Sequence, residues 1–214
     1  MKRFTRAMSM VMLAATIAFT ACKKEKVIEN TLTVNTVNDL PADTIIGIAP
    51  SGQPYGSGKF TFYNLETKSI VPNSDSATNK WDLGFRGTLV ITNSGNSGPG
   101  SAGAFVYVGT FNELRSVPAD STFKTDNAPA SYAITFGSGK GWYSYNGPAN
   151  LVTPVPGRLL IVRTATGKYA KVEILNYYKG GTTPAASAPD NDKLNKQRYY
   201  TFRYVLQSDG SKNF

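Results

Sequence analysis

The clearest structural signal in the chain is GRLLIVRTATGKYAKVEILNYY, which spans residues 157–178. Its first part, Arg158–Arg163, is a short apolar run that ends in a charge. In its last part, Tyr169–Tyr178, two sets of residues alternate: Ala170, Val172 and Ile174 against Tyr169, Lys171 and Glu173. This period of two is typical of a strand with one face on a core. Between the two parts lies a turn, in which Gly167 is free to adopt a positive φ. The segment therefore predicts a long antiparallel hairpin.

A third strand, at residues 198–207, is expected beside this hairpin, because three strands make a sheet independently stable. Further strands are expected at residues 43–49, 60–65, 81–86, 88–92, 104–108 and 132–136. Residues 111–117 are the one candidate for a helical turn, and residues 180–195 read as a long polar loop. Short strands with turn signals at this spacing predict an all-β fold of antiparallel sheets with long loops and almost no helix.

The N-terminal residues carry the pattern of an export signal. Lys2, Arg3 and Arg6 precede a short apolar run at residues 7–19, which is too short for a stable bilayer anchor. The sequence Phe-Thr-Ala-Cys at residues 19–22 is similar to a lipobox, which predicts cleavage before Cys22 and acylation of its thiol. An ordinary signal peptide with a chance cysteine is the alternative. We expect a signal peptide at residues 1–21, a lipidated cysteine with a flexible tether at 22–38, and a single domain at 39–214.

The composition excludes several functions. The chain has no histidine, one cysteine and four methionines, and those are Met1, Met8, Met10 and Met12, all within the predicted signal. Nucleophiles activated by histidine and zinc or copper sites with nitrogen or sulfur ligands are therefore excluded, and we expect no enzymatic activity. The formal charge of +9 falls to +6 when the three basic residues of the signal leave. No nucleic-acid recognition motif accompanies this modest positive charge.

Binding is the remaining class of function, and aromatic residues are its strongest indicator. Phe, Trp and Tyr make up 12% of the chain. Trp142, Tyr143 and Tyr145 follow a glycine-rich segment, and aromatic rings beside glycines can form the wall of an apolar pocket. Packing within the core is the alternative for these three rings.

Four segments together resemble the HmuY family of haem-binding lipoproteins from the Bacteroidetes. They are WDLGFRGTLVITNSG (81–95), GWYSYN (141–146), TPVPGRLLIVRTATGKYAKVEILNYYKG (153–180) and YYTFRYVLQSDG (199–210). The resemblance implies an all-β fold on an outer-membrane lipoprotein that faces the cell surface or the periplasm, or is released. It also implies a haemophore that captures haem and passes it to a TonB-dependent outer-membrane receptor.

The chain departs from that family in one respect. Family members hold haem iron with two axial His or Met side chains, and residues 22–214 contain neither. No family ligand can therefore be carried over to this sequence. Because tyrosinate ligates iron in some haem proteins, Tyr143 or Tyr145 is a candidate ligand, and Asn150 is a candidate pocket residue but a poor iron ligand.

The haem propionates need basic partners, and Arg158, Arg163 and Lys168 are the candidates. The alternative hypothesis is that the fold is retained and the ligand has changed, to a glycan, a siderophore-like compound or a protein.

Overall fold

Two antiparallel sheets form the framework of the folded chain. The computed structural model of the protein describes residues 32–214, so the predicted signal peptide and Cys22 lie outside the described residues. The strands are β1 Val34–Pro41, β2 Gly47–Ile48, β3 Pro54–Tyr55, β4 Thr61–Asn64, β5 Ser69–Val71, β6 Leu83–Arg86, β7 Leu89–Thr92, β8 Gly103–Val108, β9 Tyr143–Asn146, β10 Leu151–Pro154, β11 Arg158–Arg163, β12 Tyr169–Tyr178 and β13 Gln197–Gln207. The helical elements are a 3-10 turn, Asn73–Asp75, and the helix α1, Asp190–Lys196. The all-β prediction is confirmed.

The larger sheet has the strand order β1-β13-β12-β11-β8. Leu160 of β11 lies opposite Val172 of β12, and Gly167 in the connecting turn has a φ of +87°. The predicted hairpin is therefore present. The predicted third strand is also confirmed, because β13 pairs with β12, with Phe202 opposite Ile174.

Both faces of this sheet are buried. The alternation in β12 predicted burial of one face only. Val172, Phe202 and their neighbours on that face belong to the main core. The other face packs against a smaller cluster that contains Leu159, Ile161, Val205, Phe111, Leu114 and Val117. Lys171 is buried on this side, and its Nζ donates hydrogen bonds of 2.8 Å to the carbonyls of Phe111 and Leu114. Segment 111–117 contains a turn and no helix, and Lys171 satisfies two of its carbonyls.

The smaller sheet, β5-β4-β6-β7, shares the main core with the larger one. The rings of Phe85 and Phe202 stack across it with centroids 5.6 Å apart. A buried carboxylate adds a polar joint: Asp82 accepts hydrogen bonds of 2.8 Å from the backbone N–H groups of Leu65 and Ala165. The turn of the β11–β12 hairpin is thereby fixed to the smaller sheet. Residues Leu32–Phe214 form one compact unit.

The N-terminal boundary of the domain differs from the prediction. Residues 34–38, which we expected in the tether, form the start of β1, and Val34 lies opposite Val205 of β13. This segment has little apolar character of its own and gains its order from the open edge of β13, where its backbone groups find partners.

Three further predictions of secondary structure need correction. Within residues 43–49 only Gly47–Ile48 is a strand, and residues 132–136 contain none. The predicted loop at 180–195 contains most of α1. The signals for this helix were present in the sequence: Pro189 precedes it, acidic residues occupy its first turn and lysines its last. Neither helical element within residues 32–214 is long and apolar enough to cross a membrane.

Candidate ligand-binding site

The predicted aromatic cluster divides between core and surface. Trp142 is only 2% exposed, and its ring lies 5.0–5.7 Å from those of Tyr143, Tyr177 and Tyr200. Tyr143 is also buried, whereas Tyr145 is 49% exposed. The structure therefore corrects the expectation that all three rings form a pocket wall. Trp142 and Tyr143 are core residues, because the large rings of the central strands cover them, and Tyr145 remains a candidate.

A cleft of about 400 Å³ opens beside Tyr145. This volume falls within the range of about 300–1,000 Å³ that is common for small-molecule sites. Its lining includes Tyr145, Asn150, Tyr177, Lys193, Gln197 and Arg198, with residues 52–54 of the β2–β3 hairpin. Two of the four predicted pocket residues, Tyr145 and Asn150, are thus brought together here.

Polar side chains connect the two rims of this cleft. The hydroxyl of Tyr145 donates a hydrogen bond of 2.9 Å to Oδ1 of Asn150. Nδ2 of Asn150 donates one of 3.0 Å to Oδ2 of Asp190, the first residue of α1. Lys193 donates to Oδ1 of Asp190 at 3.3 Å. The hydrogen bond from Asn150, followed by that from Lys193, lowers the pKa of Asp190 below its ordinary value. The chain of contacts fastens α1 to the β9–β10 hairpin.

Tyr177 and Arg198 line the inner part of the cleft, where Tyr177 is 2% exposed and the side chain of Arg198 is largely buried. Burial raises the pKa of the Tyr177 phenol, which keeps it protonated, although the charge of the nearby Arg198 opposes this shift. Arg198 donates from Nη1 to the carbonyl of Asp43 at 2.9 Å and from Nη2 to the carbonyl of Pro54 at 3.4 Å. Its guanidinium therefore also holds the β2–β3 hairpin beside the cleft.

None of the three basic residues predicted to pair with propionates lines this cleft. Arg158 and Arg163 stand at opposite ends of β11, roughly 16 Å apart for five steps of about 3.3 Å. Arg158 donates to the carbonyl of Lys140, Arg163 to that of Ser101, and Lys168 forms an ion pair with Glu66. The structure does not bring the three together.

The basic residues of the cleft, Lys193 and Arg198, were missed by the sequence reasoning. Lys193 falls in a segment read as a loop, and Arg198 stands at the start of a predicted strand. The sequence showed only that Arg198 lies between a polar segment and a predicted strand. This position does not indicate which distant segments contact the Arg198 side chain.

Metal coordination has little support in the described chain. No group of three or more His, Cys, Asp or Glu side chains that could hold a metal ion occurs within residues 32–214. The same residues contain no His or Met, so neither imidazole nor thioether is available for haem iron. Two phenols line the cleft, the half-exposed one of Tyr145 and the buried one of Tyr177.

Comparison with known proteins gives the family. The profile described as HmuY protein matches residues 57–188. The chain belongs to the HmuY family. The HmuY match takes in Tyr145 and Asn150, whereas α1 and β13, with Lys193 and Arg198, follow its last residue. The cleft is therefore built from residues inside and outside the matched region.

Three solved structures are similar to this HmuY protein at low sequence identity. A protein of Bacteroides fragilis described as a lipoprotein is 16% identical, with a TM-score of 0.48, covering 83% of this chain and 91% of its own. A Bacteroides vulgatus protein described as HmuY-like and haem-binding is 14% identical, with a TM-score of 0.47 and coverages of 80% and 91%. The apo form of a Tannerella forsythia HmuY analogue is 13% identical, with a TM-score of 0.45 and coverages of 82% and 95%. No curated protein matches the chain in sequence.

Proposed function

We propose that this protein is an exported lipoprotein that binds haem or a related porphyrin in the cleft beside Tyr145 and passes it to an outer-membrane receptor. Membership of the HmuY family carries this proposal, and the cleft with its Tyr145 and Tyr177 rings supports it. Binding rather than catalysis is its activity. A porphyrin laid against the half-exposed ring of Tyr145 gains about 25 cal/mol for each Å² of apolar surface removed from water.

Axial ligation in this protein differs from the His and Met of the family. Tyr145 is the candidate tyrosinate, because its hydroxyl is at the cleft and half exposed. Tyr143, the other candidate, packs in the core against Trp142 and Phe136. Binding without any protein ligand to iron is the second form of the proposal.

Two titrations distinguish these forms. Protein that begins at Lys23 keeps the whole compact unit and is titrated with hemin and with metal-free protoporphyrin. If Tyr145 ligates iron, hemin binds more tightly than protoporphyrin, and Tyr145→Phe removes both this difference and the spectrum of a phenolate complex. If iron is not ligated, the two porphyrins bind equally, and Tyr145→Phe changes little. Absence of saturable binding of either porphyrin at micromolar concentration would overturn the proposal.

A second candidate is a HmuY protein that has changed its ligand. The observation in its favour is the polar lining of the cleft, where Asn150, Asp190 and Gln197 offer amide and carboxylate groups suited to hydroxyl-rich molecules such as glycans or siderophore-like compounds. A thermal-shift comparison of porphyrins with such compounds discriminates the two, because only the true ligand class raises the melting temperature.

The lipid anchor belongs to the same proposal. Processing before Cys22 and its acylation would tether the domain to the outer membrane through residues 22–33, which precede β1. Several acyl chains on one cysteine give stable anchoring, whereas one gives marginal binding. Mass spectrometry of the membrane-extracted protein tests this: an unmodified Cys22 or an intact signal sequence would contradict it, and Cys22→Ala should release the protein from membranes.

A further inference from the structure

We propose that Arg198 recognises a carboxylate of the molecule that enters the cleft, so that the ligand class is a porphyrin with free propionates. This inference rests on the proposed function and adds a specificity-determining residue to it. It replaces Arg158, Arg163 and Lys168, which lie elsewhere.

The position of the guanidinium is the first observation. The side chain of Arg198 is 16% exposed, and the residue lines the cleft together with Tyr177 and Gln197. Its contacts with the carbonyls of Asp43 and Pro54 hold the group in one place. A cation that is fixed in advance at the side of a pocket loses little freedom when a ligand binds, which favours affinity.

The ion pair that Arg198 makes with Asp43 contains no direct hydrogen bond, which is the second observation. The carboxylate of Asp43 approaches it at 3.8 Å, beyond hydrogen-bonding distance. Oδ1 of that carboxylate already accepts hydrogen bonds of 2.9 Å from Ser57 and Gly58. Among the charged residues that line the cleft, Arg198 and Lys193 stand beside Asp190, and Asp43, outside the lining, pairs with Arg198 and balances the remaining charge. A ligand carboxylate that reaches Arg198 would add the direct hydrogen bonds that Asp43 does not make.

The hydrogen-bonding capacity of Arg198 is the third observation. A guanidinium has five N–H donors, and the carbonyls of Asp43 and Pro54 account for two. Two donors in a planar fork match a carboxylate. Lys193, the other cation, is committed to the carbonyl of Ala186 at 2.8 Å and to Asp190.

The backbone of Arg198 adds an independent indication. Its φ is +68°, a left-handed conformation that costs a residue with a side chain about 1–2 kcal/mol. Glycine would adopt this conformation without that cost. Strain of this kind is retained where the surrounding structure enforces it, and it concentrates at ligand-binding sites. The arginine is therefore expected at this position because its side chain has a role at the cleft that glycine could not fill.

The test compares metal-free protoporphyrin with its dimethyl ester, which lacks both carboxylates, on wild type and on Arg198→Gln. Wild type should bind the free acid about tenfold or more tightly than the ester. Arg198→Gln should lose about tenfold in affinity for the acid and keep its affinity for the ester, which also shows that the pocket is folded. Arg163→Gln is the matched control, because Arg163 also donates to a backbone carbonyl but lies outside the cleft; it should behave as wild type.

Should Arg198→Gln fail to fold, Arg198→Lys keeps the charge and removes the planar fork, and it should narrow the preference for the acid over the ester. Equal binding of acid and ester by wild type would overturn the inference while leaving porphyrin binding intact. An equal loss of affinity for the acid and for the ester in a folded Arg198 variant would also overturn the inference. If wild type binds neither compound, the proposed function fails and the inference fails with it.

Discussion

Nδ2 of Asn150 lies 3.0 Å from Oδ2 of Asp190, a residue 40 positions later in the chain. Asn150 belongs to the turn of the β9–β10 hairpin, and Asp190 begins α1. Both residues line the cleft. This hydrogen bond therefore joins the two rims of the candidate site, and the position of α1 depends on a side chain that is held in an unusual backbone conformation.

Substitutions at Asn150 should separate its backbone role from its side-chain role. The φ of Asn150 is +51°, which asparagine and glycine tolerate and alanine does not. Both Asn150→Gly and Asn150→Ala should speed hydrogen exchange of α1, because each loses the contact with Asp190. Asn150→Ala should be less stable than Asn150→Gly by about 1 kcal/mol in denaturant unfolding. Equal stability of the two variants would show that the turn relaxes, and unchanged exchange in α1 would show that the contact does not hold the helix.

Replacement of Asp82 should weaken the joint between the smaller sheet and the β11–β12 hairpin. In Asp82→Asn the side chain keeps one oxygen, so one of the buried N–H groups of Leu65 and Ala165 loses its acceptor. An unsatisfied buried group of this kind costs about 1–3 kcal/mol. Denaturant unfolding at neutral pH measures the loss, with Asp120→Asn, at an exposed acid, as the control. A loss no larger than that of the control would contradict the role given to Asp82.

The difference in stability between wild type and Asp82→Asn should depend on pH, and the direction of this change follows from the pKa of Asp82. Burial raises the pKa of Asp82 above its ordinary value of 3.8, although its two backbone hydrogen bonds oppose this shift. A carboxyl with a raised pKa in the folded state contributes stability that is complete below the unfolded pKa and is lost as the pH rises through the folded pKa. The stability of wild type relative to Asp82→Asn should therefore be greater in acid than at neutral pH. A difference that grows as the pH rises would contradict the raised pKa.

Gly95 should be among the least tolerant glycines of the chain. Its φ is +57°, and a Cβ at this position would lie 1.8 Å from the carbonyl oxygen of Asp126. Gly210, with a φ of +81° and open space around it, is the control. Gly210→Ala should cost about 1–2 kcal/mol for backbone strain alone. Gly95→Ala should cost more or abolish folding, and similar melting temperatures for the two variants would contradict the close approach.

The sequence predicted the parts of the fold that depend on local alternation. In residues 169–178 and 198–207 apolar side chains recur at every second position, so the sequence indicates which side chains share a face of the strand. The turn at Gly167 indicates that the first of these strands belongs to a hairpin. β1 was missed because its partner is β13, more than 150 residues away, and its own composition resembles a tether. Such long-range pairing leaves no periodic signal in the shorter partner.

The candidate site was only partly predictable for a related reason. Tyr145 and Asn150 are close in sequence and carry the signal of a loop with an aromatic ring. Arg198 reaches the cleft only because Asp43 and Pro54 fold back against it, at separations of 155 and 144 residues. Trp142 and Tyr145 differ in burial although they are neighbours, because the rings that cover Trp142 come from β12 and β13.

Equilibrium titration of the protein with hemin, followed in the Soret region, tests the central claim most directly. The account predicts saturable one-to-one binding at micromolar or lower concentration, with a spectrum that is neither bis-histidine nor His/Met because residues 32–214 contain neither side chain. It also predicts that Tyr145→Ala, which removes the half-exposed ring from the cleft, weakens this binding. A titration without saturation, or binding that is unchanged in Tyr145→Ala, would contradict porphyrin capture in this cleft.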